Sequence, residues 1–207
     1  MSDRPVIDVY ADLWCPFAYV GLKRAMATSE VRSGDVELAL RSWPLELING
    51  TPLPQEKTHA NATALRASVA PDLFAGVHNW VYPTSTLPAL ALAAKANVTD
   101  LQRGEAVSMH LRHLLFEEGL DLSSDLVLNE VAETFAIARE PEDLHFVNLE
   151  YHEGQQRGVK GSPHFFCSSG EEIFCPTLDL SRDAEGNLHV QEMVSRLEGF
   201  FARCAAA

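Results

Sequence analysis

The chain contains no Cys-x-x-Cys. Its four cysteines, Cys15, Cys167, Cys175 and Cys204, are scattered through 207 residues, which excludes a disulfide scaffold and a zinc ribbon. No apolar run approaches the roughly 18 residues that suggest a membrane span. Positive charge is scarce: 16 Lys and Arg stand against 29 Asp and Glu, a formal net charge of −13. That balance argues against a nucleic-acid backbone or an anionic membrane as partner. Internal repeats and low-complexity linkers are also missing. After MSDR, the stretch PVIDVYADLW is interrupted by Asp8 and Asp12, so it reads as structure rather than as an export signal. A cytoplasmic protein with reduced thiols is the expectation.

What is present suits an ordinary globular domain, with 46% hydrophobic and 22% charged residues. Residues 5–12 alternate apolar and polar, as a half-buried strand does. Pro16 then fits the first position of a helix, with Cys15 at or beside the N-cap. Residues 36–47 (VELALRSWPLEL) read as a second strand, completing a β-α-β opening. From about 57 to 157 the pattern is helical, with starts at Thr99, Ser124 and Glu140-Pro141 and a stop at Gly119. HFFCS and EEIFC then flank Ser-Gly as a hairpin. HVQEMVSRLEGFFARC closes the chain as an amphipathic helix, with Val190, Met193, Val194, Leu197, Phe200 and Phe201 on one stripe.

Two motifs point to chemistry. Cys15 sits where a strand passes into a helix, facing unpaired N–H groups and the positive end of the macrodipole. Both favour thiolate, the nucleophilic form, although most free cysteines are small buried hydrophobes. The second motif is GVKGSPHFF, residues 158–166. Its glycines permit unusual backbone angles, and Pro163 stands just before a strand, where it cannot join the ladder.

Together the motifs resemble the DsbA-like branch of the thioredoxin fold, above all the FrnE-type oxidoreductases. The chain is also similar to 2-hydroxychromene-2-carboxylate isomerases and kappa-class glutathione transferases. YADLWCPFAYVGLKR, RSWPLEL, LRHLLFEEGLDLSSDLVL and GVKGSPHFF carry the likeness. It implies an α/β thioredoxin fold, residues 1–56 and 158–207, interrupted by an all-helical insertion, residues 57–157. Cys15 matches the first cysteine of the FrnE-type pair, while the second falls at Ala18. In the isomerase-type relatives a serine matches Cys15, a tyrosine Phe17 and a small residue Ala18. Pro163 matches the family's cis-proline, and Ser162 before it presents backbone groups to the bound thiol or peptide.

The expected activity is thiol–disulfide exchange or isomerisation through Cys15 alone, with Trp14, Pro16, Phe17, Ala18, Ser162 and Pro163 contacting the substrate. An external thiol must then release the mixed disulfide. No tightly bound cofactor or metal is expected; glutathione or another small thiol is the co-substrate. Partners are a disulfide-containing protein or a small thiol, and a second copy of the chain in a homodimer. Two other readings stand beside it: a glutathione-dependent isomerase or transferase, and a non-catalytic binding or chaperone-like module working through exposed aromatics around Cys15, including Tyr19. His164 is a candidate to stabilise the thiolate, and Asp12 is either a carboxylate near the site or an ordinary strand-end residue. Cys167 and Cys175 read as core residues and Cys204 as frayed. Trp43 and Trp80 read as core, and His110 and His113 as surface histidines.

Overall fold

A computed structural model describes residues 4–186 and 188–206. β1 (Val6–Ala11) and β2 (Glu37–Ser42) pair in parallel, joined by α1 (Pro16–Ala27) and the short α2 (Ser29–Ser33). β3 (His164–Cys167) runs antiparallel to β1, and β4 (Glu172–Phe174) antiparallel to β3. The sheet order is β2-β1-β3-β4.

Between β2 and β3 the chain forms α3 (Leu45–Asn49), α4 (Gln55–Ser68), α5 (Leu87–Thr99), α6 (Leu101–His113), α7 (Asp125–Thr134) and α8 (Leu144–Gln156). β2 is shorter than its apolar pattern suggests. Trp43 still donates to Ala11 O, but Pro44 has no N–H to continue the ladder and instead begins α3. The junction of α5 and α6 falls one residue later than expected: Thr99 ends α5, and Asp100 caps α6 by accepting Arg103 N at 2.7 Å. Ser124 and Glu140 precede helical turns, and a π-turn after α6 stops at Gly119 in the left-handed region, φ 73°.

The main correction lies near the end. Residues 188–192 are not helical; β6 (Leu188–Glu192) pairs with β5 (Leu178–Arg182) as a separate two-stranded sheet. Val190 therefore belongs to a strand, Met193 caps the helix, and α9 spans Val194–Ala205. Its buried stripe is Leu197, Phe200, Phe201 and Cys204, so Cys204 is locked in the core rather than frayed.

Both faces of the main sheet are covered. On one, Ile7, Val9, Leu38, Leu40, Phe165 and Cys167 meet Ala18, Leu22 and Ala25 of α1 and the α9 stripe. On the other, Tyr10, Trp43 and Phe166 pack together, and Gly154 of α8 lets the backbone approach: a Cβ there would sit 2.7 Å from Trp43. The opposite side of α1, through Tyr19 and Val20, enters the larger core built with α4 to α7. α1 is thus clamped between sheet and helices, which fixes the position of Cys15 at its head. No helix among the described residues is long and apolar enough to cross a membrane.

Candidate active site

Cys15 is the N-cap of α1, extended at φ −77° and ψ 108°. Its Sγ accepts the Ala18 N–H at 3.4 Å and donates to the Ser162 carbonyl at 3.2 Å. Ser162 also holds the loop before Cys15, since its Oγ accepts the Asp12 N–H at 2.9 Å. The Ser162–Pro163 peptide is cis. Pro163 lies against α1 at Gly21, where an added Cβ would come within 3.2 Å of the proline ring, so only glycine leaves it unhindered room.

Cys15 is 5% exposed and borders a cleft of about 220 Å³. Pro16, Phe17, Leu45, Lys57, Asn61 and Ser162 contribute to its walls. Among the expected contact residues, Trp14 is displaced: it is fully buried and stacks on Tyr82 at 5.8 Å, inside the helical core. Ala18 is also buried, and its part in the site is the backbone N–H given to Cys15. With Trp14 and Tyr19 both enclosed, no exposed aromatic cluster surrounds Cys15 among the described residues.

Burial pushes the Cys15 thiol up to about 11, outweighing the Ala18 N–H and the Ser162 side chain that pull it down; the Asp12 carboxylate adds to the rise. The resting sulfur is therefore a thiol at neutral pH. The helix-terminal stabilisation expected from sequence is present, but desolvation exceeds it.

Asp12 is completely buried beneath this site. Its Oδ1 accepts Trp14 N at 2.8 Å and its Oδ2 accepts Leu45 N, yet burial lifts its carboxyl to about 6. Facing it is Arg112 of α6, 1% exposed, whose guanidinium donates to the Asp12 carbonyl at 3.2 Å and to the Ser108 carbonyl at 3.0 Å. Burial lowers Arg112 to about 10, while Asp12 and Cys15 favour its charge. Arg112 escaped the motif reading because it belongs to the helical insertion. The available signal was its position: Gly104, Val107, Ser108, Leu111 and Arg112 continue one buried helix face.

His164 does not reach Cys15. Side chains alternate along β3, so His164 shares the face of Phe166 and contacts Phe166 and Phe174, whereas Phe165 points toward the Cys15 side. Its Nδ1 accepts Lys160 N at 3.2 Å, and burial lowers its pKa to about 4, leaving it neutral. Cys167 is buried. Cys175 is only partly buried and lies past β4 at φ 44°, with its N–H on the Pro163 carbonyl at 3.0 Å. Trp43 and Trp80 are buried. His110 packs on Phe135, and His113 faces Glu118 at 3.3 Å. Among the described residues no group of His, Cys, Asp and Glu could hold a metal.

Comparison with known proteins agrees with this architecture. A chain from Nitrosomonas europaea, described as a protein disulfide isomerase, superposes with a TM-score of 0.70 at 13% identity, covering 97% of this chain and 99% of that one. A DsbA-type oxidoreductase from Streptomyces coelicolor gives 0.64 at 18%, covering 98% and 91%. The Pseudomonas aeruginosa cytosolic disulfide reductase DsbM, solved with GSH, gives 0.56 at 14%, covering 97% and 96%. No curated protein matches the sequence. The model of the DSBA-like thioredoxin domain matches residues 6–185. With that match spanning nearly the whole sheet-and-helix framework that holds Cys15, the chain belongs to the DsbA-like thioredoxin-domain family.

Proposed function

We propose that the protein catalyses thiol–disulfide exchange through Cys15 alone, using glutathione or a similar small thiol to complete each cycle. The observation that carries this is the Cys15 sulfur, held at a helix N-terminus against the Ser162 carbonyl and bordering a cleft, with Ala18 where a resolving thiol would stand.

In the first step Cys15 attacks one sulfur of a substrate R–S–S–R′. The Cys15–S–S–R bond forms, the S–S bond breaks, and the thiol proton ends on R′SH. The Ala18 N–H stabilises negative charge on the attacking sulfur, as a helix terminus does. An external thiolate R″S⁻ then attacks the sulfur that carries R; the bond to the Cys15 sulfur breaks, R–S–S–R″ leaves, and the Cys15 sulfur takes up a proton to return to the thiol. Electrons balance without a second protein cysteine. Pro16, Phe17 and Ser162 are the proposed substrate contacts, and Pro163 positions Ser162. A small-thiol co-substrate is supported by the likeness to DsbM, a protein solved with GSH. A cytosolic setting, where such thiols are abundant, fits the same likeness.

The test is transfer from a glutathionylated peptide to free glutathione. Activity is expected in the native chain and in Cys175→Ser, and none in Cys15→Ser. Retained activity in Cys15→Ser overturns the proposal; loss in Cys175→Ser assigns resolution to Cys175 and ends the single-cysteine scheme.

A further inference from the structure

A second pair of thiols lies away from this cleft. Cys167 ends β3 opposite Ile7, whereas His164, next to Pro163 and the Cys15 site, pairs with Tyr10 at the other end of the same ladder. Cys167 and Cys204 are both free, 2% and 1% exposed, and share one apolar cluster with Leu197, Phe200 and Phe201. α9 brings Cys204 to the end of β3, where the Cys204 and Cys167 side chains influence each other within one buried cluster.

The corner around them is tied from three sides. Cys167 N donates to Glu171 O at 2.8 Å, and Gly170 N donates to Cys167 O at 3.0 Å. Arg203, beside Cys204, donates to the Glu171 carboxylate at 2.8 Å. Strand end, hairpin turn and last helical turn therefore hold Cys167 and Cys204 in one corner of the core. We propose that Cys167 and Cys204 are a second redox dithiol, independent of Cys15, which closes to an intramolecular disulfide when a small-molecule disulfide is the oxidant.

The two sulfurs have different surroundings. Cys167 receives hydrogen bonds from Cys204, Ser168 and Ser169, which draw its thiol below the usual value although burial opposes them. Burial and the neighbouring Cys167 push Cys204 upward. Cys167 directly precedes the exposed turn Ser168–Gly170, through which a small disulfide would approach, and is the proposed attacking sulfur. Its thiolate attacks R–S–S–R, forming Cys167–S–S–R and releasing one RSH after protonation. Cys204 then loses its proton and displaces the second RSH, leaving Cys167–S–S–Cys204. Two protein thiols and one small disulfide become one protein disulfide and two small thiols. The closed bond ties α9 to β3, which otherwise depends on side-chain packing and the Arg203–Glu171 pair.

The experiment uses the full chain carrying Cys15→Ser. The reduced protein is incubated with oxidised glutathione, free thiols are blocked under denaturing conditions, and digests are read by mass spectrometry. A Cys167–Cys204 cross-link is expected, with Cys175 blocked as a free thiol. The oxidised form should melt a few degrees higher, on the order of 3–8 °C, and Cys204→Ala should abolish both the cross-link and the shift. If Cys204→Ala does not fold, Cys167→Ala serves the same purpose. Glutathione adducts without a cross-link, or a cross-link from Cys204 to Cys175, overturn the proposal.

Discussion

The Cys15 sulfur points at the Ser162 carbonyl across 3.2 Å, and Ser162 in turn receives the Asp12 N–H on its hydroxyl. One residue from the far part of the chain therefore holds both the reactive atom and the loop that presents it. Ser162→Ala keeps the carbonyl but leaves the buried Asp12 N–H without its acceptor. A loss of about 1–3 kcal/mol in urea unfolding is expected, and Cys15 alkylation should slow, because the Ser162 hydroxyl that helps hold the thiol pKa down is gone.

Asp12 opposes ionisation of Cys15, so removing its charge should help. Asp12→Asn is expected to lower the Cys15 pKa from about 11 and to speed alkylation at pH 8. The same substitution alters the pH dependence of folding. The folded pKa of Asp12 is about 6 against a model value of 3.8, so the native state binds its proton more tightly. Its contribution to stability is full below about pH 4 and is lost as pH rises through 6, a change of about 3 kcal/mol. The difference in unfolding free energy between native and Asp12→Asn chains should shrink or reverse across that window. A constant difference from pH 4 to 7 contradicts the assignment.

Arg112 puts a positive charge under the site with its N–H groups on Asp12 O and Ser108 O. Arg112→Met should destabilise the fold by about 1–3 kcal/mol, because the buried Asp12 carbonyl loses its donor and the Asp12 carboxylate loses a favourable nearby charge. It should also slow Cys15 alkylation. Adding Asp12→Asn should recover part of the stability, and the coupling appears as non-additivity in a double-mutant cycle.

Ala18 holds the position one helical turn from Cys15, and its own N–H already touches the sulfur. Ala18→Cys should create a dithiol that forms an internal disulfide and reduces a protein disulfide without added small thiol. Overpacking of this fully buried site is expected to cost about 1–3 kcal/mol. A variant that stays dependent on external thiol indicates that release, rather than the missing sulfur, limits the cycle.

The ends of the framework were readable because they rest on local rules. A period-2 strand, Cys-Pro at a helix start and Gly-x-x-Gly-Ser-Pro before a hairpin each specify their own backbone. β6 was not readable in this way. Val190 falls in register with the α9 stripe, so four strand residues, His189 to Glu192, passed for an extra helical turn; the cue was Gly186, whose φ of 85° turns the β5–β6 hairpin. Burial was the other hidden quantity. Nothing local distinguishes Trp14, which stacks on Tyr82 from a distant loop, from a residue lining the cleft. The same holds for the Cys15 thiol: N-cap position was visible, but the desolvation that raises its pKa comes from packing across the whole fold. Arg112 and Cys204 are buried by partners far away in the chain.

The most direct test of the central claim follows turnover of a glutathione mixed disulfide while free glutathione is varied, with rapid acid quenching to trap protein adducts. The account predicts a rate that rises with free thiol, a trapped adduct on Cys15 that decays as free thiol is added, and no turnover in Cys15→Ser. A rate independent of added thiol, or an adduct on another cysteine with Cys15→Ser still active, contradicts it.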